Sequence, residues 1–368
     1  MLSFKLKSKS KDVIIGYGNP VVVNVNIGVS SCNNSSYKSE LEKIDTLCSL
    51  KSPPDLMMDL SLTNKAGYLY DDITKRFHGP IGFIPHYACK NRNGKLDEIS
   101  LVDEVVRAVE SGISWIVIHL TPCIEIVDLA IKTRKIPLAS RSAVIVIEDM
   151  IKSNRKRSIY WNILDEIIGI CVDNSVAISL GGAFRPAITN AAMDVVHIME
   201  LEKFHDIINI LKEFNIKYLI EGIGHLKAKD IQKFNRIMND FNCPVMPLGP
   251  LFADYFNKDD HFVNAMSFFA AVISGGNYSI INSLTPSEHS GGIPSINDIL
   301  SGYQAARSCA NLCNTFLGYN KPDNENLCTD LSDLNLLNCN RCLEVCPNKF
   351  IIQNIENIES WISSEMTF

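Results

Sequence analysis

Eight short apolar runs recur along this chain, and longer stretches with apolar residues at helical spacing separate them. The runs are Val21–Val25, Leu56–Leu60, Ile81–Ile84, Trp115–His119, Val176–Leu180, Tyr218–Glu221, Val245–Leu248 and Tyr278–Asn282. Ile99–Ser111, Ala192–Phe214, Ala228–Phe241 and Phe262–Ser274 are amphipathic stretches between them. Such alternation implies parallel βαβ units. Eight units predict a closed (β/α)8 TIM-type barrel, an α/β fold. A ninth run, Ala143–Glu148, competes for strand status, and the register is least defined over Leu120–Asn174.

The chain has 368 residues, enough for such a barrel and more. The expected organisation is an N-terminal extension over 1–18, a barrel catalytic domain over 19–295, and a C-terminal helix, linker and cysteine-bearing tail over 296–368. Within the last, Ile296–Phe316 has a helical pattern and Asn320–Asn340 is a polar linker. Lys plus Arg is 35 against 41 for Asp plus Glu, a net charge of −6, which argues against a nucleic-acid partner. No apolar run approaches the ~18 residues of a membrane helix. Met1–Asp12 is rich in Lys and Ser and lacks the apolar core of a signal peptide, so a cytoplasmic location is expected.

A barrel places its catalytic groups where the strands end and the loops open on one face. Here the runs lead into Asn24 and Asn26, Met58-Asp59, Pro85-His86-Tyr87, His119, Gly182-Ala-Phe-Arg185, Glu221-Gly-Ile-Gly-His225, Leu248-Gly-Pro-Leu251 and Thr285-Pro-Ser-Glu-His289. One polar residue at a strand end is ordinarily a cap or a turn former. Eight such ends would ring one mouth. His225 and His289 each follow a carboxylate within four residues, and neutral imidazole is the commonest metal ligand. By spacing alone they fit a divalent metal site and a pair of loop residues capping helices equally well. Arg185 suits a phosphate or carboxylate through bidentate hydrogen bonds, or a surface ion pair.

Of twelve cysteines, Cys309, Cys313, Cys328, Cys339, Cys342 and Cys346 fall in the last 60 residues. Cys339-Asn-Arg-Cys342-Leu-Glu-Val-Cys346-Pro347 puts three thiols within eight residues, as at the end of a ferredoxin-type iron–sulfur motif. A full ferredoxin run would need a cysteine at Leu336; Cys328 is a candidate fourth ligand. Three thiolates alone would leave one iron of a 4Fe-4S cluster open, the position that S-adenosylmethionine chelates in radical enzymes. A four-thiolate zinc site using Cys328 and a redox pair of Cys339 and Cys342 are the alternatives.

Taken in order, these segments resemble the ThiC family of radical S-adenosylmethionine enzymes. Asn24-Val-Asn-Ile-Gly is similar to that family's NANIG, Met58-Asp-Leu-Ser to MDLS, and Pro80-Ile-Gly-Phe-Ile-Pro-His-Tyr87 to PIGTVPIY. Glu221-Gly-Ile-Gly-His225 is similar to EGPGH, Leu248-Gly-Pro-Leu251 to LGPL, and Thr285-Pro-Ser-Glu-His289 to TPxEH. The two histidines stand 289 − 225 = 64 residues apart, as the family's metal ligands do. The resemblance implies a barrel with a flexible cluster-bearing tail, a homodimer, and an electron donor such as ferredoxin or flavodoxin. It implies that Asn26, Met58, Tyr87, His119, Ser140, Arg141, Arg185 and Glu221 line the site of a small anionic substrate. His225 and His289 would hold a divalent metal, zinc or iron. Cys339, Cys342 and Cys346 would hold a 4Fe-4S cluster that cleaves S-adenosylmethionine to a 5′-deoxyadenosyl radical. In the family that radical drives rearrangement of aminoimidazole ribotide to the thiamine pyrimidine, with release of formate and carbon monoxide.

The departures fall in the substrate shell. SRGG reads Ser140-Arg-Ser-Ala143, and DGLRPG reads Gly182-Ala-Phe-Arg-Pro-Ala187 without its acid. The Tyr before LGPL is Met246, the Pro of EGPGH is Ile223, and the cysteine spacing is one residue shorter. The expected function is a radical lyase acting on a substrate in cofactor biosynthesis. Alternatives are the authentic phosphomethylpyrimidine synthase reaction, a paralogue making a benzimidazole base or supplying carbon monoxide for the iron-guanylylpyridinol cofactor, and a non-catalytic iron–sulfur or zinc scaffold.

Overall fold

The computed structural model describes residues 3–30, 34–89, 93–254, 258–286, 288–319 and 347–365. Its strands are β1 (Ser3–Leu6), β2 (Val13–Gly16), β3 (Val22–Ile27), β4 (Leu56–Asp59), β5 (Ile81–Phe83), β6 (Trp115–Ile118), β7 (Ala177–Gly181), β8 (Tyr218–Glu221), β9 (Val245–Met246) and β10 (Ile280–Ser283). Its helices are α1 (Asn34–Cys48), α2 (Leu69–Arg76), α3 (Pro85–Cys89), α4 (Glu98–Ser111), α5 (Ile124–Thr133), α6 (Arg141–Lys152), α7 (Leu164–Asn174), α8 (Val195–Glu213), α9 (Ile231–Asp240), α10 (Asp260–Ile273), α11 (Ile296–Phe316) and α12 (Pro347–Glu365).

Strands β3 to β10 form one eight-stranded sheet, parallel at each of these pairings, in the order β10-β3-β4-β5-β6-β7-β8-β9. The order of pairing follows the order of the chain, as a (β/α)8 barrel requires. At the seam, the Ser279 amide donates to the Val245 carbonyl at 3.0 Å, and Asn282 Nδ2 donates to the Pro247 carbonyl at 2.9 Å. Strand β9 stops at Met246, since Pro247 has no N–H to give. No helix among the described residues is long and apolar enough to cross a membrane.

Side chains alternate across each strand. Val23, Val25, Ile116, Ile118, Ile178, Leu180 and Ile220 face the helical layer. Val22, Leu56, Met58, Trp115, Val117, Ala177, Leu219, Met246 and Ile280 face the lumen and form a second cluster. The segment 1–18, expected as an extension, supplies the antiparallel hairpin β1–β2, whose Phe4, Leu6, Val13 and Ile15 join that luminal cluster. The hairpin is tied to residues that precede strands: Lys11 N–H to the His78 carbonyl, and Lys217 Nζ to the Lys5 carbonyl. It therefore seals the N-terminal end of the barrel.

Two compact units divide the chain, Met1–Tyr319 and Asn320–Phe368. Helix α11, grouped above with the tail, packs on α10, β10 and β3 in the first unit. Its Asn314 side chain exchanges hydrogen bonds with the backbone of Val21, at 2.7 and 3.0 Å. The second unit is described through α12 alone.

The competing run Ala143–Glu148 is helical, inside α6. Its β-branched composition loses to a 3.6-residue period: Ala143, Val146, Ile147 and Met150 are buried while Val144 is 48% exposed. Ser140 caps the helix by accepting the Ala143 amide at 3.2 Å.

Gly82 marks the tightest place in the lumen. A Cβ there would overlap the fully buried Trp115 indole on the neighbouring strand. A rigid buried ring has nowhere to move, so Gly82→Ala should destabilise the fold by about 1–3 kcal/mol or more. Urea unfolding of the variant measures this, and a midpoint shift within error would contradict the packing described.

Candidate active site

A cavity of about 680 Å³ opens at the C-terminal ends of the barrel strands. Its wall carries Asn26, Tyr87, His119, Ser140, Arg141, Arg185, Glu221, His225 and His289. Nine residues singled out from the sequence therefore meet around one space. Met58 does not join them. It faces the lumen beside its register partner Asn26 but lies 2% exposed in the luminal apolar cluster with Leu56 and Ile84. Cys339, Cys342 and Cys346, with Cys328, lie outside the described residues.

Glycines let these groups approach. A side chain on Gly181 would collide with the His119 imidazole, and one on Gly28 would meet the Leu60 backbone. Beneath the wall, Asn24 Nδ2 donates to Asn26 Oδ1 at 2.8 Å and to Asn282 Oδ1 at 2.7 Å, which orients Asn26.

The loop after β7 is clamped from two sides. Glu200, on α8 and 1% exposed, accepts the Ala183 amide at 2.7 Å, the Phe184 amide at 2.9 Å and the Thr121 hydroxyl at 2.8 Å. Arg134 donates to the Phe184 carbonyl at 2.6 Å and grips Asp194 with two bonds of 2.8 Å. Arg185 follows, and its guanidinium donates to the Gly182 carbonyl at 3.0 Å. A cation in this position pays its desolvation through nearby carboxylates: burial lowers its pKa, and Glu221 and Glu200 oppose that shift. Glu200, Arg134 and Asp194 carried no signal in the sequence, because their role exists only once α5, α8 and this loop meet.

The two site histidines are oriented alike. His225 Nδ1 lies 3.2 Å from Asp254 Oδ1, and His289 Nδ1 lies 3.1 Å from Asp260 Oδ1. Asp260 Oδ2 also accepts the His289 amide at 2.9 Å. The ring centroids are 5.3 Å apart and inclined at 71°. Burial first, and then His289, lowers the His225 pKa, which keeps that imidazole in the neutral form a metal takes. Asp260 reads in sequence as a helix first-turn acid, and only the fold brings it to His289.

Burial pushes Glu221 up to about 7, with Arg185 and the Ser179 hydroxyl acting in the opposite sense. The unfolded carboxyl has its ordinary value of 4.5. Between these values the unfolded chain ionises while the folded one keeps its proton, so stability falls as pH rises. Relative to Glu221→Gln, the native chain should lose up to about 3 kcal/mol from pH 4.5 to pH 7 and then level off. Denaturant midpoints across that range test it, and parallel curves for the two proteins would contradict the burial of this group.

The family model described as "Radical SAM ThiC family" matches residues 2–333. A phosphomethylpyrimidine synthase from Carboxydothermus hydrogenoformans is 28% identical over 306 residues, 80% of this chain and 70% of that one. Enzymes of the same name from Thermotoga sp. strain RQ2 and Thermotoga petrophila are 27% identical over 327 residues, 86% of this chain and 76% of theirs. Among solved structures, dihydropteroate synthase from Xanthomonas albilineans with 4-aminobenzoic acid gives a TM-score of 0.48 at 11% identity over 84% of this chain and 98% of that one, too remote to bear on function. The segments spaced from Asn24 to His289, the barrel they build and the family match agree: this chain belongs to the radical SAM ThiC family.

Proposed function

We propose that this chain is a radical S-adenosylmethionine lyase that fragments or rearranges a small anionic substrate in cofactor biosynthesis. The observation that carries the reading is the wall of one cavity, where two arginines, a carboxyl buried enough to hold a proton near neutrality, and a pair of carboxylate-oriented histidines stand together. Arg185 and Arg141 would bind the anionic group. Asn26, Tyr87, His119 and Glu221 would fix the remainder by hydrogen bonds, and Glu221 is placed to hold or release a proton at its carboxyl oxygen. The sealed lower barrel keeps water from entering from below.

The donor set fits a divalent metal. His225 and His289 would ligate zinc or iron, their Nδ1 atoms engaged by Asp254 and Asp260, the arrangement that fixes ring orientation at histidine metal sites. Two protein ligands leave positions for substrate. Cys339, Cys342 and Cys346 are the thiols suited to a 4Fe-4S cluster. Bound there and reduced, such a cluster would supply the electron for reductive cleavage of S-adenosylmethionine to methionine and a 5′-deoxyadenosyl radical.

Aminoimidazole ribotide is the first substrate to consider, since the relatives matched are phosphomethylpyrimidine synthases. The changed shell favours a different one. Gly182 offers no side chain where the family motif has an acid, and Met246 lies fully buried in the luminal cluster where the motif has a tyrosine. A paralogue serving another cofactor fits those changes. A cytoplasmic homodimer drawing electrons from ferredoxin or flavodoxin completes the reading.

Cys342→Ser tests the radical chemistry. With dithionite and S-adenosylmethionine, the native chain should release 5′-deoxyadenosine and the variant should release none above background. Equal release from both would overturn the cluster assignment.

A further inference from the structure

The hydroxyl of Tyr160 lies 2.8 Å from His86 Nδ1, and His86 Nε2 lies 2.6 Å from Ser142 Oγ. Ser142 Oγ is 3.5 Å from His119 Nδ1, and His119 Nε2 is 3.4 Å from Ser140 Oγ. Tyr160 and His86 are fully buried, while Ser142, His119 and Ser140 reach the cavity wall. A chain of polar groups thus runs from the core to the candidate site.

Hydrogen-bond chemistry gives that chain a direction. A buried hydroxyl proton needs an acceptor, and among the described residues the partner of the Tyr160 hydroxyl is His86 Nδ1. His86 is pushed down to about 3 by burial, so its ring is neutral and carries one proton. With Nδ1 accepting, that proton is on Nε2 and is donated to Ser142 Oγ. The Ser142 proton then has His119 Nδ1 and the Tyr87 hydroxyl within reach, and the imidazole nitrogen is the stronger acceptor. His119 is also held neutral, by burial first and then by His86 and Arg185, so its own proton is on Nε2. Ser140 Oγ already accepts the Ala143 amide, and its second lone pair faces a donor at His119. Each link satisfies the next, and the reverse direction would leave the Tyr160 proton without an acceptor among the described residues.

We propose that Tyr160, His86 and Ser142 are positioning residues that fix His119 as an Nε2–H donor, held only by a long 3.4 Å contact to Ser140 Oγ, so that the cavity selects ligands presenting a hydrogen-bond acceptor, an oxygen or an unprotonated ring nitrogen, that takes over that proton. The selectivity rests on the cavity being the substrate site; the tautomer does not. Two of the three are departures from the motifs quoted above. His86 stands where PIGTVPIY has Ile, and Ser142 stands where SRGG has its first Gly. Two altered positions joined by a 2.6 Å hydrogen bond make one coupled change at the wall of the site.

Imidazole nitrogen NMR on protein labelled with ¹⁵N-histidine reads the tautomer directly, with His119 assigned by its loss in His119→Gln. The native spectrum should show His119 Nδ1 as an acceptor-type nitrogen and Nε2 as a protonated one. Ser142→Ala and Tyr160→Phe should each redistribute the proton over both nitrogens. Tyr160→Phe removes only a hydroxyl and carries the test if Ser142→Ala does not fold, as circular dichroism would show. A native His119 protonated at Nδ1, or a tautomer unmoved in the folded variants, would overturn the proposal. The expected tautomer in a protein that releases no 5′-deoxyadenosine with its cluster intact would leave the relay standing and count against the functional reading instead.

Discussion

A barrel lumen has to be filled, and the way this one is filled decides what its open end can do. At the N-terminal end, the Trp115 indole lies against Gly82 and the β1–β2 hairpin adds Phe4, Leu6, Val13 and Ile15. Burial of side chains this size contributes roughly 1.5–3 kcal/mol each. That apolar floor gives the C-terminal half a rigid base without access to water. Asn24, His119 and Glu221 can then be buried above it, where each hydrogen bond and charge is worth more than at a surface.

Burying polar groups is costly unless their partners are fixed in advance. The site meets that demand with supports that do not themselves reach the cavity. Glu200 and Arg134 hold the loop that presents Arg185, Asn24 holds Asn26, and Asp254 and Asp260 hold the two histidines. Apart from Asn24, which shares β3 with Asn26, each support comes from a different element from the group it serves. The geometry of the wall is therefore a property of the whole barrel, and small changes in helix packing would be felt there.

The barrel and most of its crown were legible from the chain itself. Strands announced themselves as apolar runs ending on polar residues, and Asn26, Tyr87, His119, Arg185, Glu221, His225 and His289 lie where that rule places them. Other features were hidden for definite reasons. The hairpin's alternation at Phe4, Leu6, Val13 and Ile15 covers only four residues on each strand, split by the polar stretch Lys7–Asp12, too short to announce a strand pair. Ala143–Glu148 has strand composition but helix period, and the period wins once one face is buried. Met58 faces the lumen as expected but is taken up by its apolar cluster, a packing outcome that the strand pattern alone does not encode. Glu200, Asp260 and His86 act through partners many residues away, a relation that no local pattern encodes.

The central claim is that this crown binds a small anionic substrate for radical fragmentation. The most direct measurement is an anaerobic reaction of the reconstituted protein with reductant, S-adenosylmethionine and aminoimidazole ribotide, reading 5′-deoxyadenosine, hydroxymethylpyrimidine phosphate and carbon monoxide together. The account predicts 5′-deoxyadenosine, with little or no pyrimidine from a pocket whose shell has changed. A protein with its cluster intact that forms no 5′-deoxyadenosine would contradict it.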